Sequence, residues 1–165
     1  MPPDQASEPF KILFVCTGNT CRSPLAEAIA RRSIEERGWG HVQVRSVGVG
    51  AMEGSAASGG AVRAGDRHGL DLTNHRASRA TAETVEWADL ILTMSPHHLQ
   101  AAVELGGAEK ATMLTSFAAG HDPEDIPGAV IDPFGGSDEI YEATYQLLDR
   151  LVHLTLERLT PVVAP

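Results

Sequence analysis

Apolar positions along the chain fall into short runs separated by longer periodic segments. Short runs bounded by turn residues are typical of buried parallel strands, whereas apolar residues spaced three and four apart indicate helices that cover a sheet. The runs lie at Lys11–Val15, Asp89–Met94 and Ala111–Leu114, and a further strand is predicted over Val42–Val49, where apolar and polar residues alternate. Because helical segments lie between them, the chain predicts a small, doubly wound α/β fold: a four-stranded parallel sheet with helices on both faces.

The predicted helices are marked by their caps and their apolar spacing. Ser23 and Pro24 suit the N-cap and first position of a helix that ends at Gly38. Another helix starts after Ser137, which can cap it. Three shorter helices are predicted over Ala61–His68, Thr81–Ala88 and Pro96–Leu105. From Ser116 to Gly136 the chain shows no period, and a loop of this length in a compact domain is usually functional.

Composition limits the possible partners and compartment. The 165 residues predict one domain over residues 10–160, with a disordered tail at residues 1–9 and a short C-terminal tail at 161–165. A net charge of −9 argues against nucleic acid or an anionic membrane as the main partner. No apolar run approaches the ~20 residues that span a bilayer, and two cysteines make no secreted disulfide framework. We therefore expect a cytoplasmic monomer.

The segment Val15–Pro24 (VCTGNTCRSP) carries the candidate chemistry. It lies between the first predicted strand and the first predicted helix, where backbone N–H groups and the helix dipole converge on an oxyanion. Arg22 can close such a cup with two charge-assisted hydrogen bonds. The same surroundings favour a thiolate over a thiol, so the sequence predicts a lowered pKa and a nucleophilic role for Cys16.

Together with the later Asp132-Pro133-Phe134, this segment resembles the low-molecular-weight protein tyrosine phosphatase family. The resemblance covers nearly the whole chain after Pro9. It implies a metal-free phosphatase that needs no cofactor and works through a phosphocysteine intermediate. Phosphorylated proteins are the implied substrates, and inorganic phosphate is the implied product.

The resemblance also assigns roles to individual residues. Cys16 is the implied nucleophile, Arg22 the phosphate clamp and transition-state stabiliser, and Asp132 the general acid. The implied substrate-binding residues are Thr17, Gly18, Asn19, Thr20, Cys21, Ser23 and Phe134. A network that holds the loop is implied for Asn19, Ser46 and His75, with Asn19 in a left-handed conformation. The hydroxyl of Ser23 is expected to face the nucleophile.

Thr20 bears on the choice of substrate. Tyrosine-specific members of the family usually carry a bulky aliphatic residue there, whereas the branch that resembles protein arginine phosphatases carries threonine, followed later by a segment like Asp132–Ser137 (DPFGGS). A small polar side chain suits a planar guanidinium, on which Phe134 can stack. We therefore expect phosphoarginine to be the substrate, with phosphotyrosine as the alternative.

Cys21 has three interpretations. It is a small buried residue, a zinc ligand or a redox partner of Cys16, and the absence of any further cysteine argues against zinc. The family resemblance favours the redox partner, through a disulfide that forms reversibly under peroxide.

Other classes of function fit these residues less well. An arsenate reductase would need additional cysteines, a phosphocysteine carrier would not need Arg22 and Asp132 for hydrolysis, and a phosphoprotein-binding module would not need Cys16. His97 and His98 lack the spacing of a zinc motif and are expected on the surface. The acidic residues Asp122, Glu124 and Asp125 are either solvated loop charges or carboxylates at the rim that bind the guanidinium of a substrate.

Overall fold

A four-stranded parallel sheet forms the centre of the molecule, as the sequence predicts. The computed structural model describes residues 8–120 and 126–165. The strands are β1 (Phe10–Cys16), β2 (Val42–Gly48), β3 (Leu90–Thr93) and β4 (Ala111–Met113), in the order β2-β1-β3-β4. The predicted α/β fold is confirmed. Because β1 lies between two neighbours, Cys16 at its carboxyl end is delivered to the middle of the sheet edge.

Helices cover both faces of the sheet. They are α1 (Arg22–Glu36), α2 (Gly59–Arg67), α3 (Ala82–Trp87), α4 (Pro96–Ala102), α5 (Leu114–Ala119) and α6 (Asp138–Val163), and a π-helical turn at Val103–Gly107 follows α4. The core on one face joins the strands to α1, α2, α5 and α6. The smaller core on the other face joins them to α3 and α4.

β1 is apolar on both sides because it contributes to both cores. Ile12 and Phe14 face the larger core, while Leu13 and Val15 face the smaller one, and all four are buried. Burial of a large apolar side chain contributes about 1.5–3 kcal/mol to folding. This strand is therefore a rigid support for the residue that ends it.

The start of α1 differs from the prediction. Cys21, not Ser23, is the N-cap residue, and no side chain caps this end of the helix. The Ser23 hydroxyl points toward Cys16 Sγ, 2.8 Å away, which is the position that the family resemblance implies. Pro24 is the third helical residue rather than the first, a position at which the missing N–H would have had no partner within the helix.

Two further differences concern short or terminal helical segments. α5 lies where the sequence predicted strand and loop, because six residues are too few to show a helical period even though Leu114 and Ala118 are buried. α6 continues to Val163, three residues into the predicted C-terminal tail. Val163 is buried, and its carbonyl accepts a hydrogen bond from His41 Nε2 at 2.7 Å, which fastens this end to the chain before β2. The predicted N-terminal tail lies mostly outside the described residues.

Candidate active site

The loop between β1 and α1 forms one wall of a cavity of about 220 Å³. The three residues predicted to be catalytic line this cavity together with most of those predicted to bind substrate. The lining residues are Cys16, Thr17, Gly18, Thr20, Cys21, Arg22, Asp132 and Phe134. Folding has thus brought Asp132, from a distant segment, to the loop that begins at Cys16.

The loop is held by the ends of neighbouring elements. Gly50 N–H donates to the carbonyl of Thr17 at 2.9 Å, and Ser58 N–H donates to that of Thr20 at 2.9 Å. Gly48 at the end of β2 approaches so closely that a Cβ there would lie 2.4 Å from the Thr17 carbonyl oxygen. Only glycine leaves room for this approach, which presses the loop against the sheet.

Asn19 is the centre of a buried hydrogen-bond network. Its backbone has a φ of 55°, as expected for a residue that tolerates the left-handed region. Its Nδ2 donates to Ser23 Oγ at 2.8 Å and to Ser46 Oγ at 2.9 Å, while its Oδ1 accepts from Ser78 N–H at 2.9 Å. His75 Nε2 donates to the Asn19 carbonyl at 2.7 Å. The structure therefore contains the contacts on which the predicted supporting roles depend.

Glu27 extends this network and is absent from the sequence prediction. Ser46 Oγ donates to Glu27 Oε1 at 2.6 Å, and the other carboxylate oxygen pairs with Arg31 at 3.0 Å. The spacing of four residues between Ser23 and Glu27 is the available signal, because it places both on one side of α1. Spacing alone does not reveal that this side faces β2.

The pKa of Cys16 differs from the expectation. Burial raises the pKa of the thiol, because the charged form loses contact with water. Hydrogen bonds from the Ser23 hydroxyl and backbone, the charge of Arg22 and the backbone of Asn19 act in the opposite direction. The sequence identifies groups that favour the thiolate, but the extent of burial is a property of the folded chain.

Arg22 reaches the cavity through a buried side chain. Its Nη1 donates to the carbonyl of Val130 at 2.9 Å, and its Nη2 donates to Thr17 Oγ1 at 3.4 Å and lies 3.8 Å from Asp132 Oδ2. Its Nε is buried without a hydrogen-bond partner in the described part of the chain. A buried guanidinium with a donor left over is suited to an anion in the cavity.

Asp132 lies across the cavity on a turn of its own. Its side chain is half-exposed, and Oδ1 accepts a hydrogen bond from Phe134 N–H at 3.1 Å. Val130 N–H donates to the Met94 carbonyl at 2.9 Å, which fastens this segment to the chain after β3. A carboxyl group so placed is accessible to the leaving group of a substrate that enters the cavity from solvent.

His98 is the clearest departure from the sequence prediction. It was expected on the surface, but it is fully buried, while His97 is exposed. Burial, together with the nearby His97 and Arg22, lowers the pKa of His98 to about 3, so the imidazole is neutral at physiological pH. The available sequence signal is its place just after β3, whose carboxyl end neighbours that of β1.

Cys21 lies on the inner side of the loop as a free, buried thiol, like Cys16. Its Sγ is 3.1 Å from Ser58 Oγ and 3.5 Å from the hydroxyl of Tyr141. The predicted Cys16–Cys21 disulfide stays a prediction. The acidic residues Asp122, Glu124 and Asp125 lie outside the described residues.

A larger recess of about 690 Å³ follows the outer edge of β2. It is lined by Trp39 and Trp87 with Arg31, Glu35 and Arg45, and it contains no thiol. Of these two cavities, the smaller one brings together a thiol, a buried arginine and a carboxyl group. Residues 8–120 and 126–165 also contain no helix long and apolar enough to cross a membrane and no group of His, Cys, Asp or Glu that could hold a metal ion.

Comparisons with known proteins agree with this geometry. The family described as low molecular weight phosphotyrosine protein phosphatase matches residues 11–162. The protein-arginine-phosphatase of Geobacillus stearothermophilus is 39% identical over 153 residues, which is 92% of this chain and 97% of that protein. The low molecular weight protein-tyrosine-phosphatase Wzb of Salmonella typhi is 36% identical over 140 residues, 85% of this chain and 87% of that protein.

A solved structure is similar to this chain in both fold and sequence. It is a YwlE arginine phosphatase mutant, cysteine to serine, with a phosphorylated active-site serine. It superimposes with a TM-score of 0.84 at 38% identity, covering 92% of this chain and 96% of that one.

Fold and cavity together define an α/β protein in which a thiol, a buried arginine and a carboxyl group meet at a loop between strand and helix. The chain belongs to the low-molecular-weight protein tyrosine phosphatase family and is a phosphoprotein phosphatase.

Proposed function

We propose that this enzyme hydrolyses phosphoarginine in proteins. The observation that carries the proposal is that Thr20 and Phe134 line the same small cavity as Cys16. Thr20 offers a hydroxyl and little bulk, and the ring of Phe134, 73% exposed, is available to stack on a planar cation. The 39% identity to a protein-arginine-phosphatase over nearly the whole chain supports this choice.

In the first half-reaction the Cys16 thiolate attacks phosphorus opposite the leaving guanidine nitrogen. Arg22 and the loop N–H groups hold the three equatorial oxygens, over which charge spreads in the transition state. The S–P bond forms as the P–N bond breaks, and Asp132 gives its proton to the departing nitrogen. A phosphorylated serine at the active site of the related arginine phosphatase mutant supports a covalent intermediate.

In the second half-reaction Asp132, now ionised, takes a proton from water. The resulting hydroxide-like oxygen attacks phosphorus, the S–P bond breaks, and inorganic phosphate leaves. Ser23 Oγ, 2.8 Å from Cys16 Sγ, can donate to the departing thiolate. Each proton and electron pair is accounted for by side chains of this chain and one water molecule.

Replacing Thr20 with isoleucine tests the substrate. In the parent enzyme we expect kcat/KM to be higher for a phosphoarginine peptide than for the matched phosphotyrosine peptide. The bulky aliphatic side chain of isoleucine disfavours the polar guanidinium. We therefore expect the variant to have an about tenfold lower kcat/KM on phosphoarginine and a higher kcat/KM on phosphotyrosine than the parent. Hydrolysis of p-nitrophenyl phosphate by both proteins provides the control for general loss of activity.

Phosphotyrosine hydrolysis is the second candidate function. It is favoured by the 36% identity to the tyrosine phosphatase Wzb and by Phe134, since an exposed ring also packs against a phenol. A parent enzyme that prefers the phosphotyrosine peptide would contradict the arginine assignment and establish this one.

We further propose the compartment, the oligomeric state, the partners and the product of this enzyme. The acidic net charge and the two free thiols support an enzyme that acts as a monomer in the cytoplasm on phosphorylated proteins, with inorganic phosphate as its product.

A reversible response to peroxide is also proposed. Peroxide oxidises Cys16 to a sulfenic acid, and the Cys21 thiol then displaces water to form a disulfide, which added thiol reduces. We expect a Cys21→Ser variant to recover much less of its own starting activity with thiol, because its sulfenic acid is left open to further oxidation. Equal recovery of the variant and the parent would refute the disulfide.

A further inference from the structure

His98 connects the active-site loop to the chain that follows β3. Its Nε2 lies 2.8 Å from Thr17 Oγ1, and its Nδ1 lies 2.9 Å from Ser95 Oγ. The imidazole has no exposed surface, so water does not compete for either nitrogen. The ring therefore joins two hydroxyl groups that belong to different strand ends.

The hydroxyl of Thr17 is also in contact with Arg22. Arg22 Nη2 donates to Thr17 Oγ1 at 3.4 Å, and a guanidinium has no acceptor. Thr17 Oγ1 keeps its own proton and a second lone pair, so it can pair with His98 Nε2 in either tautomer of the ring. His97 Nε2 lies farther from the same oxygen, at 3.5 Å. His98 Nδ1 pairs with Ser95 Oγ in the same way, at 2.9 Å, whereas His97 Nδ1 lies 3.3 Å from that oxygen. The two shorter contacts, one at each ring nitrogen, hold the His98 ring in a single orientation.

Ser95 is diverted from its ordinary role to make this contact. It occupies the N-cap position of α4, where a serine side chain normally accepts a hydrogen bond from the backbone of the first turn. No side chain caps α4, and the Ser95 hydroxyl lies against His98 instead. α4 therefore lacks a side-chain cap, and the Ser95 hydroxyl instead fixes the orientation of the His98 imidazole.

A neutral ring suits this position because of the charge beside it. A carboxylate here would attract the Arg22 guanidinium away from the cavity, and an ammonium group would repel it. Arg22 and His97 are the titratable groups that act on His98. A neutral imidazole orients the Thr17 hydroxyl without adding a charge that competes with a bound phosphoryl group.

We propose that His98 is a positioning residue for phosphoryl transfer: it holds the Thr17 hydroxyl, and through it orients the Arg22 guanidinium toward the transferring group. Val130 holds the other side of the same guanidinium at Nη1. The inference rests on the proposed catalytic role of the Cys16–Arg22 site. Because charge builds on the equatorial oxygens in the transition state, poor orientation of Arg22 lowers kcat more than it raises KM.

Two variants of equal polarity separate this role from simple packing. The amide of His98→Gln reaches the position of Nε2 and keeps the Thr17 contact, whereas the shorter amide of His98→Asn reaches only the position of Nδ1. With p-nitrophenyl phosphate we expect His98→Asn to lose about tenfold in kcat with little change in KM, and His98→Gln to retain most of the parental kcat. Gln100→Leu, on the exposed side of α4, is the control for changes in this helix.

Binding of vanadate, which imitates the five-coordinate transition state, provides a second readout. We expect His98→Asn to bind vanadate about tenfold more weakly and inorganic phosphate only slightly more weakly. In a double-mutant cycle, adding Thr17→Val to His98→Asn should cause little further loss, because both changes break the same link.

Several results would overturn the proposal. Equal losses in the Asn and Gln variants, additive losses in the cycle, or a lower thermal midpoint with unchanged kcat and vanadate affinity would each show that His98 only fills space. Vanadate and p-nitrophenyl phosphate do not depend on the choice between phosphoarginine and phosphotyrosine. A failure of the proposed substrate would therefore leave this test intact.

Discussion

Replacing Cys16 with serine is expected to lower kcat by about 10⁴-fold or more on every phosphorylated substrate. The serine hydroxyl keeps its proton at neutral pH, so the variant lacks a thiolate nucleophile. Because oxygen replaces sulfur at the same position, the shape of the site is retained. Initial rates with p-nitrophenyl phosphate and with a phosphoarginine peptide measure the loss. Rapid quenching of the parent during turnover, followed by mass spectrometry, should find one phosphoryl group on the peptide that contains Cys16.

The Cys16→Ser protein also provides its own control for folding. Its thermal midpoint and its affinity for inorganic phosphate should stay close to those of the parent, because the loop N–H groups and Arg22 are unchanged. Hydrolysis at the parental rate by this variant would refute Cys16 as the nucleophile.

Replacing Asp132 with asparagine is expected to lower kcat/KM on a phosphoarginine peptide by about 10²- to 10³-fold. An amide has the size of the carboxyl group but cannot protonate the leaving nitrogen. The loss should be smaller with p-nitrophenyl phosphate, because p-nitrophenolate departs without a proton. Departure of the leaving group is included in kcat/KM, whereas kcat also includes the hydrolysis of phosphocysteine, in which Asp132 acts as a base. The ratio of the two kcat/KM values therefore measures general acid catalysis in the first half-reaction.

Asp138→Asn is the matched control for the loss of a carboxylate. Asp138 is partly exposed at the start of α6 and pairs with Arg63, and it does not line the active-site cavity. Its variant should keep the parental ratio between the two substrates. An Asp132→Asn enzyme that loses the same factor on both substrates would contradict the role of Asp132 as the proton donor.

The sequence predicts the sheet well because its signals are local. β1, β3 and β4 are short runs rich in apolar residues, whereas β2 alternates apolar and polar residues. Because buried β1 supplies both cores, Lys11–Val15 is recognisable without any knowledge of its neighbours. α5 is missed for the same reason: six residues do not complete two helical turns, and the burial of Leu114 depends on α6 packing over it. α6 extends further than predicted because Val163 and His41 meet only in the folded chain.

In the candidate site, too, some features follow from the local sequence and others depend on tertiary contacts. Cys16 and Arg22 are six residues apart on one loop, and their spacing between a strand and a helix already predicts an anion-binding cup. Ser23 shows the limit of local inference: a serine before a proline is a good helix cap, and only the family resemblance implied that its hydroxyl faces the thiol, as it does. Whether that hydroxyl turns inward depends on Asn19 and Ser46, which a residue pattern does not place.

By itself, the sequence determined the α/β fold, the oxyanion loop and, through its resemblance to a family, the three proposed catalytic residues. These follow from apolar periodicity, loop chemistry and motif spacing, all of which lie along the chain. Only the tertiary structure decided that burial raises the pKa of Cys16, that Glu27 extends the Asn19 network and that His98 lies beneath Thr17. Burial and contacts between strand ends depend on which elements become neighbours. Because β3 lies next to β1 in the order β2-β1-β3-β4, His98 in the helix after β3 meets the loop after β1.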